Sequence, residues 1–192
     1  MIKIEDYKIF ADNISTLKET SKDKNNNESE EFMTSSELEA INFDGVKNTY
    51  TNKLGLSNES ASSFDALAFI NNNGLFIEFK NGNMKNEKQN VQKKIRDGIL
   101  IFCDIINCNI SHTRTNIQFI LVYNEEKNRM PNQLKKQIKS PANVEIASHY
   151  IEKGGNELIR FNLEKFKTLY FKEVHTYTEK EFEEYLTKFN MW

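Results

Sequence analysis

The sequence predicts an α/β fold, a mixed central sheet flanked by helices, and three observations carry that expectation. Two short apolar runs, "FDALAFI" and "LFIEFKN", are separated by "NNNG", which reads as an antiparallel hairpin. From Glu87 to Asn107 the residues Val91, Ile95, Ile99, Phe102 and Ile106 recur every three or four positions, the period of a core-facing helix. The run "NIQFILVYN", residues 116 to 124, then has the length, composition and flanks of a buried strand.

The remaining elements follow from local signals. Residues 1 to 20 mix apolar periods (Ile2, Ile4, Tyr7, Ile9, Phe10, Ile14, Leu17) and fit either a strand or a helix. "SKDKNNNESEE", residues 21 to 31, has no apolar side chain and predicts an exposed, flexible loop. "TSSELEAINF" offers Thr34, Ser35 and Ser36 as helix caps, with Glu39 three residues beyond Ser36 in a capping-box spacing, so a helix start is predicted there. Residues 52 to 63 read as loop. Near the C-terminus "EKEFEEYLTKF" places Phe182, Tyr185, Leu186 and Phe189 at helical spacing behind Thr178, a suitable N-cap.

Composition bounds the function. With 192 residues, 38% hydrophobic and fourteen Phe, the chain has material for one core, and a single domain, 1–192, is expected. The N-terminal segment carries Lys3, Glu5, Asp6 and Lys8 and lacks the apolar core of a signal peptide, while "GILIFC" is too short to span a bilayer. A cytoplasmic protein without membrane contact is the expectation. His112, His149 and His175 are scattered, and Cys103 and Cys108 match no zinc or disulfide spacing. Net charge is −2, yet residues 61 to 144 hold five more basic than acidic side chains, among them Lys80, Lys85, Lys88, Lys93, Lys94, Arg96, Lys127, Arg129, Lys135, Lys136 and Lys139.

The hairpin poses the chemical question, because it puts Asp65, Glu78 and Lys80 into the most apolar stretch of the chain. Side chains alternate along a strand, so Phe76, Glu78 and Lys80 share one face, and Asp65, Leu67 and Phe69 share a face of the partner strand. Closure at "NNNG" brings Asp65 within reach of Glu78 or Lys80. Two converging carboxylates repel unless a cation lies between them. Magnesium accepts carboxylate oxygens and keeps several waters, and a neighbouring lysine can orient a nucleophile or neutralise charge on a phosphodiester.

On Asp65, Glu78-Phe79-Lys80, the helix containing "EKQNVQKKIRDGILIF" and the strand "NIQFILVY", the sequence resembles the PD-(D/E)XK nuclease superfamily, also called the restriction endonuclease-like fold. The resemblance covers residues 34 to 124 and implies a restriction endonuclease-like core with extra N- and C-terminal elements. It implies that Asp65 and Glu78 bind Mg²⁺ or Mn²⁺ together with the Phe79 carbonyl, and that Lys80 is the catalytic base or positions the attacking water. A further acid on the preceding helix is implied at Glu39, less readily at Glu37, and phosphate-backbone contacts at Lys88, Gln89, Lys93 and Arg96. Phe64 stands where the family often has proline. The implied activity is a metal-dependent nuclease hydrolysing nucleic-acid phosphodiester bonds, with DNA as the expected partner and a homodimer as an assembly the superfamily allows. The competing readings are a catalytically inactive interaction protein on the same scaffold, an immunity or regulatory partner, and a functionless ion pair on an edge strand.

Overall fold

The computed structural model describes residues 6–23, 30–70, 73–129 and 159–188. Their backbone forms a six-stranded mixed sheet in the order β1-β2-β3-β4-β5-β6, with β1 Ile14–Thr16, β2 Glu39–Asn42, β3 Ala66–Ile70, β4 Asn73–Lys80, β5 Ile117–Tyr123 and β6 Glu173–Thr178. β1 to β4 pair antiparallel, and β4, β5 and β6 pair parallel. Among the described residues seven helices accompany them: α1 Lys8–Ala11, α2 Leu17–Thr20, α3 Phe43–Lys53, α4 Lys88–Ile105, α5 Ile110–Asn116, α6 Lys165–Leu169 and α7 Glu179–Thr187.

Strand alternation builds two cores from one sheet. Leu67, Phe76, Phe119 and Leu121 point to the face covered by α1, α3, α4 and α6, where they meet Phe10, Phe43, Val91, Ile95, Phe102 and Phe166. Ala66, Ala68, Ile77, Phe79, Ile120 and Val122 point to the opposite face and meet Leu17, Phe182 and Leu186 of α2 and α7. Because β3, β4 and β5 are buried on both sides, they read as continuous apolar runs. The parallel step from β4 to β5 needs a crossover, and the eighteen-residue α4 supplies it.

The predicted hairpin, long helix and buried strand are all present. The hairpin register sets Ala66 opposite Ile77 and Ile70 opposite Asn73. Thr178 caps α7 in a reciprocal box with Glu181, whereas Phe189 lies outside the described residues. The mixed N-terminal period resolves into α1, β1 and α2.

The helix start expected at Ser36 is corrected. Residues 34–38 form no helix, and Glu39 opens β2, pairing with Thr16. Thr34 Oγ1 donates to Glu183 Oε1 at 2.6 Å and the Ser35 amide donates to the same oxygen at 2.9 Å, so these residues serve α7 instead of capping a helix of their own. The helix begins four residues after Glu39, where the Asn42 side chain accepts from the Gly45 amide at 3.2 Å. Pairing on both edges of β2 outweighs a four-residue capping pattern. The loop expected at 21–31 is described at its two ends, where Lys22 and Phe32 form an isolated bridge; residues 24–29 lie outside the described set, as do Lys135, Lys136 and Lys139. Cys103 and Cys108 are both free thiols, and Cys108 lies beyond the end of α4.

One close approach places the segment entering β3. Gly98 in the middle of α4 lets the Phe64 ring lie against the helix backbone; a methyl group there would overlap that ring. Phe64 in turn stacks on Phe76 with centroids 3.9 Å apart and meets Phe43 in a tilted contact at 4.3 Å. Alanine is a better helix former than glycine by up to about 1 kcal/mol, but overpacking costs about 1–3 kcal/mol. Gly98→Ala should therefore lower stability in urea denaturation; an unchanged or higher midpoint would show that Phe64 does not depend on this contact.

Candidate functional site

Asp65, Glu78 and Lys80 meet at one end of the sheet. Glu78 and Lys80 occupy the last turns of pleat in β4, and Asp65 immediately precedes β3, which runs antiparallel to it. The end of β2, where α3 starts, lies at the same edge, since the Phe43 amide donates to the Asp65 carbonyl at 3.0 Å. The site thus sits outside the carboxyl ends of β4 and β5, where pairing changes from antiparallel to parallel.

Glu78 is the geometric centre. It has no solvent exposure, being on a central strand with Phe76 on its own face and β3 and β5 on either side. Its Oε1 accepts from the Lys94 ammonium at 2.7 Å and lies 3.3 Å from the Lys80 ammonium. Lys94 Nζ also donates to Asp65 Oδ1 at 3.1 Å, so one nitrogen bridges the two carboxylates. Asp65 Oδ2 accepts from the Phe79 amide at 2.7 Å, which fixes the aspartate against the strand. Lys80 Nζ reaches on to Glu87 Oε2 at 3.1 Å, at the entry to α4. Glu78 Oε2 is buried with no hydrogen-bond partner.

The electrostatics follow from this burial. Desolvation, reinforced by the Asp65 charge, pushes the Glu78 carboxyl up to about 7, although Lys94 and Lys80 pull the other way. Burial also works against the Lys94 charge, but Glu78 and Asp65, with Asp44 behind them, more than offset it and hold the ammonium well above its ordinary range. Glu87 is held below the usual carboxylate range by hydrogen bonds from Asn90 and then Lys80. Acidic and basic side chains thus alternate from Asp65 through Lys94, Glu78 and Lys80 to Glu87.

The other expected positions divide. Glu39 is exposed and pairs with Thr16, four residues up the chain from the level of Asp65, so it has no part in this cluster; Glu37 is taken by Lys18 at 3.0 Å. The Phe79 ring belongs to the opposite core, 5.8 Å from the Phe182 ring, leaving its backbone at the site edge. Lys88, Gln89, Lys93 and Arg96 are exposed along α4.

Two residues at the site were not singled out by sequence reading. Lys94 looked like one of a run of bases, yet it lies three residues from Val91 and one from Ile95, at the border of the apolar stripe, and that position was the available signal. Asp44 stands in the first turn of α3, accepts from Ser63 Oγ at 2.7 Å and adds to the field at Lys94. It was hidden because the helix start was read too early, at Ser36 and not at Asn42. Asp97 Oδ2 accepts from the Ser62 amide at 2.9 Å and steadies the same approach to Asp65.

The donor set is one of hard oxygens. Among the described residues no group of three or more His, Cys, Asp or Glu side chains is placed to hold a metal ion by itself. Two carboxylates with a buried, unpartnered oxygen still suit magnesium, which commonly takes one or two carboxylates and completes its shell with water. No protein-family profile, curated protein or solved structure matches the chain. Fold and site define an α/β protein with an acid-lysine cluster at the carboxyl edge of a mixed sheet.

The raised Glu78 carboxyl has a signed consequence. Burial raises the folded Glu78 carboxyl to about 7, above the ordinary 4.5 that the group has when unfolded. Its stabilising contribution is complete below that lower value and is lost as pH rises towards 7. Glu78→Gln, which mimics the neutral acid, should gain on wild type between pH 5 and pH 8 by about 2–3 kcal/mol in denaturant titrations. Parallel pH profiles of the two proteins would contradict this account.

Proposed function

We propose that the chain is a metal-dependent nuclease, a phosphodiester hydrolase acting on nucleic acid, with DNA the expected substrate. The observation that carries this reading is the convergence of Asp65 and Glu78, from neighbouring strands, on a single cation position beside Lys80. A buried ion cluster is a weak device for stability, since apolar replacements of similar volume are often neutral or stabilising. Charged groups with displaced titration gathered at the edge of a sheet are instead what an active site requires. The resemblance to the PD-(D/E)XK superfamily supports the same reading, as does the order of antiparallel hairpin, crossover helix and parallel strand.

In this reading Asp65 and Glu78 hold Mg²⁺ or Mn²⁺, with the Phe79 carbonyl as a third oxygen, and Asp44 replaces Glu39 as the further acid. The bound metal supplies a more acidic water and neutralises charge on the phosphate. Lys80, oriented by Glu78 and Glu87, positions the attacking water or stabilises the charge that develops on the phosphoryl oxygens. Lys88, Gln89, Lys93 and Arg96, exposed on α4, meet backbone phosphates and fix the strand without reading its sequence. Among the described residues no helix is long and apolar enough to cross a membrane.

Plasmid and single-stranded DNA incubated with purified protein and Mg²⁺ or Mn²⁺ should be cut. Lys80→Ala and Asp65→Asn should reduce the rate by about 100-fold or more, with circular dichroism confirming that both variants are folded. Absence of cleavage by wild type, or full activity in Lys80→Ala, would remove the proposal.

One observation favours a second reading, a non-catalytic interaction protein. Lys94 already bridges one oxygen of each carboxylate, so a counter-charge is present without a metal. A ligand that binds only the folded state raises stability, so the nuclease reading requires a thermal shift with Mg²⁺ or Mn²⁺, and the interaction reading requires none.

A further inference from the structure

We infer that Lys94 is an internal counter-ion that competes with the divalent cation for the Asp65 and Glu78 oxygens, and that loading the site moves its ammonium outward to the phosphate-binding edge. The inference rests on the metal site proposed above and concerns how that site is regulated. Its basis is positional. Lys94 Nζ lies 2.7 Å from Glu78 Oε1 and 3.1 Å from Asp65 Oδ1, the two oxygens that a bridging cation would need. An ammonium forms hydrogen bonds near 3 Å, whereas magnesium demands oxygen at about 2.1 Å. Two cations cannot share that space, because contact distance and like charge both forbid it.

The side chain has somewhere to go. The Lys94 side chain keeps 18% of its surface exposed, and a four-carbon stem is flexible enough to redirect the ammonium without disturbing α4. Its helix neighbours Lys93 and Arg96 are exposed on the surface assigned to phosphate contacts. An ammonium displaced from the carboxylates turns towards solvent on its own flank of α4, where a phosphodiester oxygen is a suitable new partner. Glu78 Oε2, buried and unpartnered, is the second reason to expect displacement: the ammonium satisfies only one oxygen of the central acid, and a cation with a larger coordination shell can engage both.

The arrangement has a thermodynamic corollary. If metal entry requires Lys94 to leave, then anything that holds Lys94 in its outward position strengthens metal binding, and by reciprocity metal strengthens the hold on phosphate. Without nucleic acid the site binds metal weakly; with a phosphodiester present the two bind cooperatively. Lys94 is a positioning residue in this scheme and suppresses idle metal loading.

The test is calorimetric titration of Mn²⁺ into wild type, Lys94→Met, Lys94→Gln and Asp65→Asn. Both Lys94 variants are expected to bind at least about tenfold more tightly than wild type, which is about 1.4 kcal/mol, and Asp65→Asn more weakly. Equal or weaker binding by folded Lys94 variants, with wild type still binding, overturns the inference but leaves the metal site standing. Absence of binding in every protein overturns both. Should neither Lys94 variant fold, wild type decides by nuclear magnetic resonance of the Lys94 side chain under titration with Mg²⁺. A large change in its Cε and Nζ signals in step with metal binding supports displacement, and unmoved signals at saturation refute it.

Discussion

A carboxylate on a central strand, flanked by apolar side chains and shut off from solvent, must be neutralised by a proton, an ammonium or a metal, because leaving it charged and alone is prohibitive. Glu78 is in that position, and much of the local architecture answers to it. Lys94 is brought in from α4 and Lys80 from the end of the same strand, both to Oε1 of Glu78. Asp65 is drawn to the Lys94 ammonium and pinned by the Phe79 amide. The interaction ties the helix to the hairpin across the sheet face, and Phe64 stacked beneath Gly98 keeps the entering segment at the required height.

The location follows from topology. The antiparallel strands β1 to β4 and the parallel strands β4 to β6 share β4, so the connections on its two sides are of different kinds. On one side the chain enters β3 through Phe64 and Asp65; on the other it leaves β4 through Lys80 and crosses over by α4. Side chains from a strand start, a strand end and a helix are thereby collected at one edge, which no single hairpin could do. Asp44 joins them because the end of β2 lies at that edge as well.

Sequence reading recovered what has a long or regular period. The eighteen residues of α4, the seven of β5 and the β3–β4 hairpin repeat their pattern often enough to be recognised, and the shared face of Asp65 and Glu78 follows from counting by two. Thr178 was legible because its box with Glu181 is entirely local. β2 was not, since it has four residues and exists by pairing with β1 and β3, while Ser36 and Glu39 imitate a helix cap. That error displaced the search for a further acid to Glu39 and hid Asp44. Lys94 was lost in a basic run because its role depends on which face of α4 meets the hairpin, a tertiary fact that period alone gives only to the nearest residue.

The central claim is that Asp65 and Glu78 are held together to bind a divalent cation. The most direct measurement is a crystal structure grown with Mn²⁺ and recorded at a wavelength where manganese scatters anomalously. The account predicts one strong anomalous peak between the two carboxylates, within metal-ligand distance of an oxygen from each, with the Lys94 ammonium withdrawn. A map with no peak there at saturating Mn²⁺, and with Lys94 still bridging Asp65 and Glu78, would contradict it.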